Sequence, residues 1–239
     1  MKGMRIEAIR RFFDICGFFF YASSIRLGIA DAPEVLFNAY LKWKVSKSML
    51  QKNDRTSLFI DGPNLYAAKR NLELDIDYRK LLDYFRERCR LIRAHYYTTL
   101  YPDQEALRHL TDWLDYNGYH VVTRRPKEYF NEGKRKVKND MEIELIIDVL
   151  EAAPYLDHIV LFSGNGDLSR LTTSLQRSGK LVSIVSTLES DPPMVSDDLR
   201  RHADNFIELE ALRGDIQREW DGKPDSDAPQ AYDPDEDDE

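Results

Sequence analysis

Ser57-Leu58-Phe59-Ile60-Asp61-Gly62-Pro63-Asn64-Leu65-Tyr66 is an apolar run that stops on an acid and a turn. A short continuous apolar segment bounded by Gly and Pro reads as a buried parallel strand entering a loop. The pattern returns later in the chain as His158-Ile159-Val160-Leu161-Phe162-Ser163-Gly164-Asn165-Gly166-Asp167. In an open α/β sheet the carboxyl ends of such strands line the ligand crevice. Two strands delivering Asp61 and Asp167 to one edge therefore predict an acidic pocket. Crowded carboxylates raise each other's pKa unless a cation compensates. The pattern points to a metal, and the metal to phosphate chemistry.

Working outward, further strands are expected at Leu91–Tyr97, Tyr119–Thr123 and Leu181–Val185, with a last strand or turn at Phe206–Leu209. Between them the spacing predicts helices over 65–71, 78–90, 104–117, 140–153, 168–178 and 196–203. In the second of these, Leu81, Leu82, Phe85 and Cys89 share one face. Gly118 and Gly179 stand where a helix ends on a left-handed residue. Strands alternating with helices give an α/β fold: a mostly parallel open sheet with helices on both faces, a Rossmann-like three-layer sandwich.

Three regions divide the chain: a leader (1–50), the compact domain (51–215) and an acidic tail (216–239). The formal net charge is −8. Residues 221–239 hold nine acids and one Lys, so the remainder sums to about zero. Rich in Asp and Pro and without apolar periodicity, the tail is predicted to be disordered. The leader has a cationic start and an apolar block, Ile15–Ile25, whose eleven residues are too few to span a bilayer core of about 30 Å as a helix. It is read as an extension ahead of a domain that begins near Met49, and no membrane association is expected. Two cysteines, Cys16 and Cys89, far apart and without metal-ligand spacing, argue against a zinc knuckle or disulfide framework and fit a cytoplasmic protein.

Residues 124–138 (RRPKEYFNEGKRKVK) carry seven Lys or Arg against two Glu and are expected as a hairpin or loop. A basic segment beside an acidic pocket is the pairing a nuclease needs, one part for backbone phosphates and the other for metal; alone, it reads equally as a solvated hairpin. On the helix over 140–153, Asp148 sits within an apolar run, where an acid is costly unless paired or metal-bound. Asp140 and Glu144 are more simply helix-dipole partners or solvent-facing acids. Plain structural roles exist for the loops as well: Asn64 as a helix cap, and Asp167 as the N-cap of the helix from Leu168.

FIDGPNLY, KVKNDMEIELIIDVLEAA, DHIVLFSGNGDL, QRSGKLVSIVST and PPMVSDDLRRHADNFIEL, in this order, resemble the NYN domain, in its LabA-like branch. The resemblance runs from about Leu50 to Arg213. It implies a fold like that of PIN-domain nucleases and a metal-dependent ribonuclease, with Mg²⁺ or Mn²⁺ held by Asp61, Glu142, Asp148 and Asp167 and approached by Asn165. Lys134, Arg135, Lys136 and Lys138 would then grip a single-stranded RNA, with Asn64, Tyr66 and Ser163 beside it and Tyr66 free to stack a base. No small-molecule cofactor is implied, and a homodimer is left open. Two positions depart from the family pattern: Glu142 stands where it has Asp, and Asn165 replaces an Asp of the SGDGDF loop. Asp140, in turn, stands where the family has Asn. Mg²⁺ weights ligand charge and geometry, so both departures are expected to weaken metal binding. The alternative is an RNA-binding or regulatory module without turnover. A nucleotide binder is weaker, since neither GxGxxG nor a P-loop occurs in the chain.

Overall fold

The computed structural model describes residues 50–101, 104–131, 134–138 and 141–219, with 127–138 described by backbone alone. The leader up to residue 49, Cys16, Asp140 and the tail from residue 220 lie outside the described residues. β1 spans Arg55–Asp61, and its five central residues are all buried. A strand with so little polar surface is held on both edges. β2 (Arg90–Thr99) pairs with it in parallel on one side, and β6 (His158–Phe162) on the other. Outside β2 lies β3 (Tyr119–Arg124); outside β6 lie β7 (Leu181–Ser186) and β8 (Asn205–Glu208). The six strands, all parallel, stand in the order β3-β2-β1-β6-β7-β8. The chain therefore moves outward from β1 through β3, returns to β6 beside β1, and moves outward again in the opposite direction.

One face is covered by α1 (Gly62–Asn71), α2 (Tyr78–Arg88) and α3 (Glu105–Tyr116). Tyr78 of α2 meets Tyr96 and Tyr119 edge-on, and Phe85 meets Phe162. Leu81, Leu82, Phe85 and Cys89 are all buried, as their spacing predicts. The opposite face carries α4 (Glu142–Ala152), α5 (Ser169–Arg177) and the short α6 (Asp197–His202). Leu145 and Val149 of α4, Leu171 and Leu175 of α5, and Leu199 of α6 close over Phe59, Leu161 and Ile184. A last turn, α7 (Arg213–Ile216), packs on α2. Gly118 and Gly179 follow α3 and α5 at φ +93° and +77°, the left-handed region where glycine has no Cβ to clash.

The basic segment forms the expected hairpin. β4 (Lys127–Asn131) and β5 (Lys134–Lys138) pair antiparallel as a separate two-stranded sheet between β3 and α4. At the amino edge of the main sheet, the Arg55 guanidinium forks onto Asp157 with bonds of 2.9 and 2.8 Å, holding that carboxyl well below the usual range. Both side chains are over 40% exposed, so the pair aligns β1 with the turn into β6 more than it stabilises the fold. Among the described residues no helix is long and apolar enough to cross a membrane.

The α4 side of the core rests on Leu145, 2% exposed. Leu145→Ala is expected to lower unfolding stability by about 2–5 kcal/mol. Urea unfolding should show this as a lower midpoint at an unchanged slope.

Candidate acidic site at the sheet's switch point

β1 and β6 end side by side, with Ile60 opposite Phe162, at the point where the strand order reverses. Loops leaving adjacent strands toward opposite faces open a crevice there, the usual ligand position in such sheets. Asp61 is the last residue of β1 and the N-cap of α1. Its Oδ1 accepts the Asn64 N–H at 3.3 Å, and its Oδ2 accepts the Ser163 hydroxyl at 3.3 Å. Burial pushes the Asp61 carboxyl above the ordinary aspartate range, against the pull of these two hydrogen bonds. Gly62 lets the chain turn so close to the sheet: a Cβ there would lie 2.7 Å from the Tyr97 carbonyl oxygen and 2.8 Å from the Tyr96 ring.

The β6 loop answers the β1 loop atom by atom. Asn64 lies inside α1, and its Oδ1 accepts the Gly164 N–H at 3.0 Å. It is a tie between the two loops, and capping falls to Asp61, whose carboxylate precedes the first turn. Ser163 Oγ also accepts the Asn165 N–H at 3.2 Å. Asn165 Oδ1 accepts the Asp167 N–H at 3.0 Å, while its Nδ2 donates to Glu142 Oε1 at the start of α4. Asn165, and not Asp167, thus caps the turn Gly166–Leu168 that leads into α5. The reason is geometric: the extended residue before a turn can fold its side chain back on the free N–H groups, and Asp167 is already inside that turn. Gly164 is wedged against the next loop, where a Cβ would overlap the Met194 carbonyl.

Asp61, Ser163, Asn165 and Glu142 thus form one hydrogen-bonded chain across the crevice. The other acids stand apart from it. Asp148 Oδ2 accepts the Tyr97 hydroxyl at 3.0 Å, and burial, reinforced by that carboxylate, raises the phenol well above its ordinary range. Tyr97 is the register partner of Asp61. The apolar run around Asp148 does not enclose it. Ile143, Ile147 and Leu150 face solvent at 57, 49 and 46% exposure, and the helix turns Asp148 toward β2. Glu144 pairs with Arg124 at 2.7 Å. Asp167 is exposed. Tyr66 is half-buried with the Lys69 ammonium 5.3 Å from its ring centre, so one ring face is already taken. Lys134, Arg135, Lys136 and Lys138 lie on β5, their side chains outside the described residues.

Tyr97 and Arg124 are the partners that reading the sequence did not single out. Both sit near the carboxyl ends of predicted strands, which was the available signal. His95 stacks on Phe59 at 4.8 Å and on Tyr97 at 6.2 Å. Burial first, and His120 second, bring its pKa down to about 4, so it is neutral at physiological pH.

Among the described residues no group of three or more Asp, Glu, His or Cys is gathered closely enough to hold an ion by itself. A half-buried carboxylate with a raised pKa, as Asp61 is, is nevertheless the group a cation relieves. Asp61 and Glu142 offer hard oxygens on one connected network. Mg²⁺ is commonly held by one or two carboxylates, with waters and substrate phosphates completing its octahedron. The residues present fit such an ion in that reduced form, with Asp61 and Glu142 as its carboxylates.

The NYN domain family profile matches residues 55–210. The low amplitude and bright protein LabA of Synechococcus elongatus is 33% identical over 175 residues, covering 71% of this chain and 91% of LabA. A crystal structure of a Vibrio parahaemolyticus protein of unknown function superposes with a TM-score of 0.56 at 24% identity, covering 68% of this chain and 96% of that one, a likeness of fold.

Because burial raises the Asp61 pKa, the folded state binds its proton more tightly than the unfolded state does. Stability on this account falls as pH rises from the ordinary value of 3.8 through the raised one, and the ionised group is a net cost at neutral pH. Asp61→Asn keeps the capping oxygen and removes the charge. It should unfold at a higher temperature than wild type at pH 7, and the gap should close as pH falls below 3.8.

Proposed function

The chain belongs to the NYN-domain family, and on that footing we propose that it is a metal-dependent ribonuclease, hydrolysing phosphodiester bonds of single-stranded RNA at the Asp61 crevice. One observation carries the reading: a half-buried carboxylate of raised pKa at the sheet's switch point, joined through Ser163 and Asn165 to Glu142.

Asp61 and Glu142 would hold Mg²⁺ or Mn²⁺, which supplies an activated water and steadies the leaving oxygen. The Ser163 hydroxyl donates to Asp61 Oδ2 and fixes the direction of that carboxylate. Asn64, clamped on the Gly164 N–H, holds the two loops at a set separation. Tyr97 stays protonated and donates a hydrogen bond to Asp148 Oδ2, leaving the second oxygen of Asp148 to a water or an outer ligand. The lysines and arginine of β5 supply charge for the RNA backbone. A cytoplasmic location accords with the unpaired, buried Cys89.

A second reading has a specific observation behind it. The Asn165 amide donates to Glu142, so a neutral nitrogen occupies a place where a carboxylate oxygen would add charge. That arrangement favours an RNA-binding module without turnover.

Cleavage of a labelled single-stranded RNA in Mn²⁺ separates the two. On the ribonuclease reading, Asp61→Asn slows cleavage by more than the about 10–100-fold that loss of an outer-shell partner costs, and EDTA abolishes it. Equal cleavage by both proteins would sink that reading. On the binding reading, RNA association survives EDTA, no protein cleaves, and Asn165→Asp gains activity only together with Glu142→Asp. A readout independent of turnover accompanies these: Mn²⁺ should raise the melting temperature of wild type and leave that of Asp61→Asn unchanged.

A further inference from the structure

The loop that carries Ser163 and Asn165 is also the root of two helices. Gly166–Leu168 runs directly into α5, and Ser196, the N-cap of α6, donates its backbone N–H to the Gly164 carbonyl at 2.9 Å. Between α5 and α6 lies a groove of about 360 Å³ that leads away from this loop. α5 turns Leu171, Thr172 and Leu175 into the core. That burial leaves Arg170, Thr173, Ser174 and Arg177 on the stripe that walls the groove, opposite Asp198 and His202 of α6.

Charge in the groove is unevenly matched. Asp198 faces the His202 ring at 3.5 Å, and the neighbouring Asp197 pairs with Arg201 at 3.7 Å. Arg170 and Arg177 are exposed, and neither forms an ion pair with a described residue. They stand seven residues apart on one helix, about 10 Å along its axis. The Ser174 hydroxyl is exposed between them, while that of Thr173 donates to the Ser169 carbonyl at 3.0 Å. A guanidinium presents a planar fork of donors that matches two phosphate oxygens, and a polar wall has little to offer an apolar ligand.

We propose that this groove binds the phosphodiester backbone of an RNA strand leaving the Asp61 crevice, with Arg170 and Arg177 each taking a phosphate. The proposal rests on the RNA reading above and extends it to a second contact surface. The hairpin β4–β5 is entered from β3, at one end of the sheet, whereas α5 connects β6 to β7 on the other side of β1. A strand held by both would pass over the carboxyl edge and present its middle to Asp61.

The test is fluorescence anisotropy of a labelled single-stranded RNA across a salt series in EDTA. Wild type is compared with Arg170→Gln/Arg177→Gln and with Arg170→Lys/Arg177→Lys, each checked for folding by circular dichroism. Loss of two single-strand phosphate contacts weakens binding about tenfold or more in the Gln pair and flattens the slope of log affinity against log salt by about 1.4. The Lys pair keeps the wild-type slope. If the Gln pair matches wild type in affinity and slope while wild type binds RNA, the groove assignment is overturned and the RNA reading stands. If wild type binds no RNA, both fall.

Discussion

A half-buried carboxylate at the reversal of a parallel sheet constrains everything around it. Asp61 ends β1, and its two oxygens each accept one hydrogen bond, from the Asn64 N–H in the first turn of α1 and from the hydroxyl of Ser163. Those bonds offset part of the desolvation cost but do not remove it, since the carboxyl stays above its ordinary range. Gly62 and Gly164 follow from this demand. Each loop must pass so close to neighbouring backbone that a Cβ would collide with a carbonyl. The cost is kept by the fold at the switch-point crevice, which is how strain and function come to share a site.

Across the crevice the chemistry is softened by neutral groups. Asn165 uses its oxygen to cap a turn and its nitrogen to hold Glu142. An aspartate there could make the first contact and not the second, because a carboxylate has no donor. The present residue therefore builds a well-ordered loop while reducing negative charge. The same loop fixes the starts of α5 and α6, so crevice and groove share one frame.

Much of the architecture is legible in the sequence. Short continuous apolar runs bounded by turn residues, such as those at Leu58–Ile60 and His158–Phe162, read as buried central strands, and glycines at 118 and 179 mark helix ends with a single physical meaning. The site is legible only in part. Asp61 is visible because an acid that ends a buried strand has little freedom of position. Asn64 and Asp167 both read as caps, yet the caps are Asp61 and Asn165, three and two residues earlier in their loops. Asp148 reads as enclosed by its apolar neighbours, but Ile147 and Leu150 face solvent and the acid turns to Tyr97.

What the sequence by itself determines here is the order of elements, their parallel pairing and the placing of Asp61 and Ser163 at one edge. Each of these follows from local periodicity and from turn residues whose backbone preferences are short-range. Only the tertiary structure decides which side chains become partners: Asn165 with Glu142, Tyr97 with Asp148, Arg124 with Glu144, and the unmatched arginines of α5 with an open groove. Those partners come from different elements of the chain, and a hydrogen bond or ion pair depends on side-chain directions set to within an ångström or so by packing, which no local pattern of residues encodes.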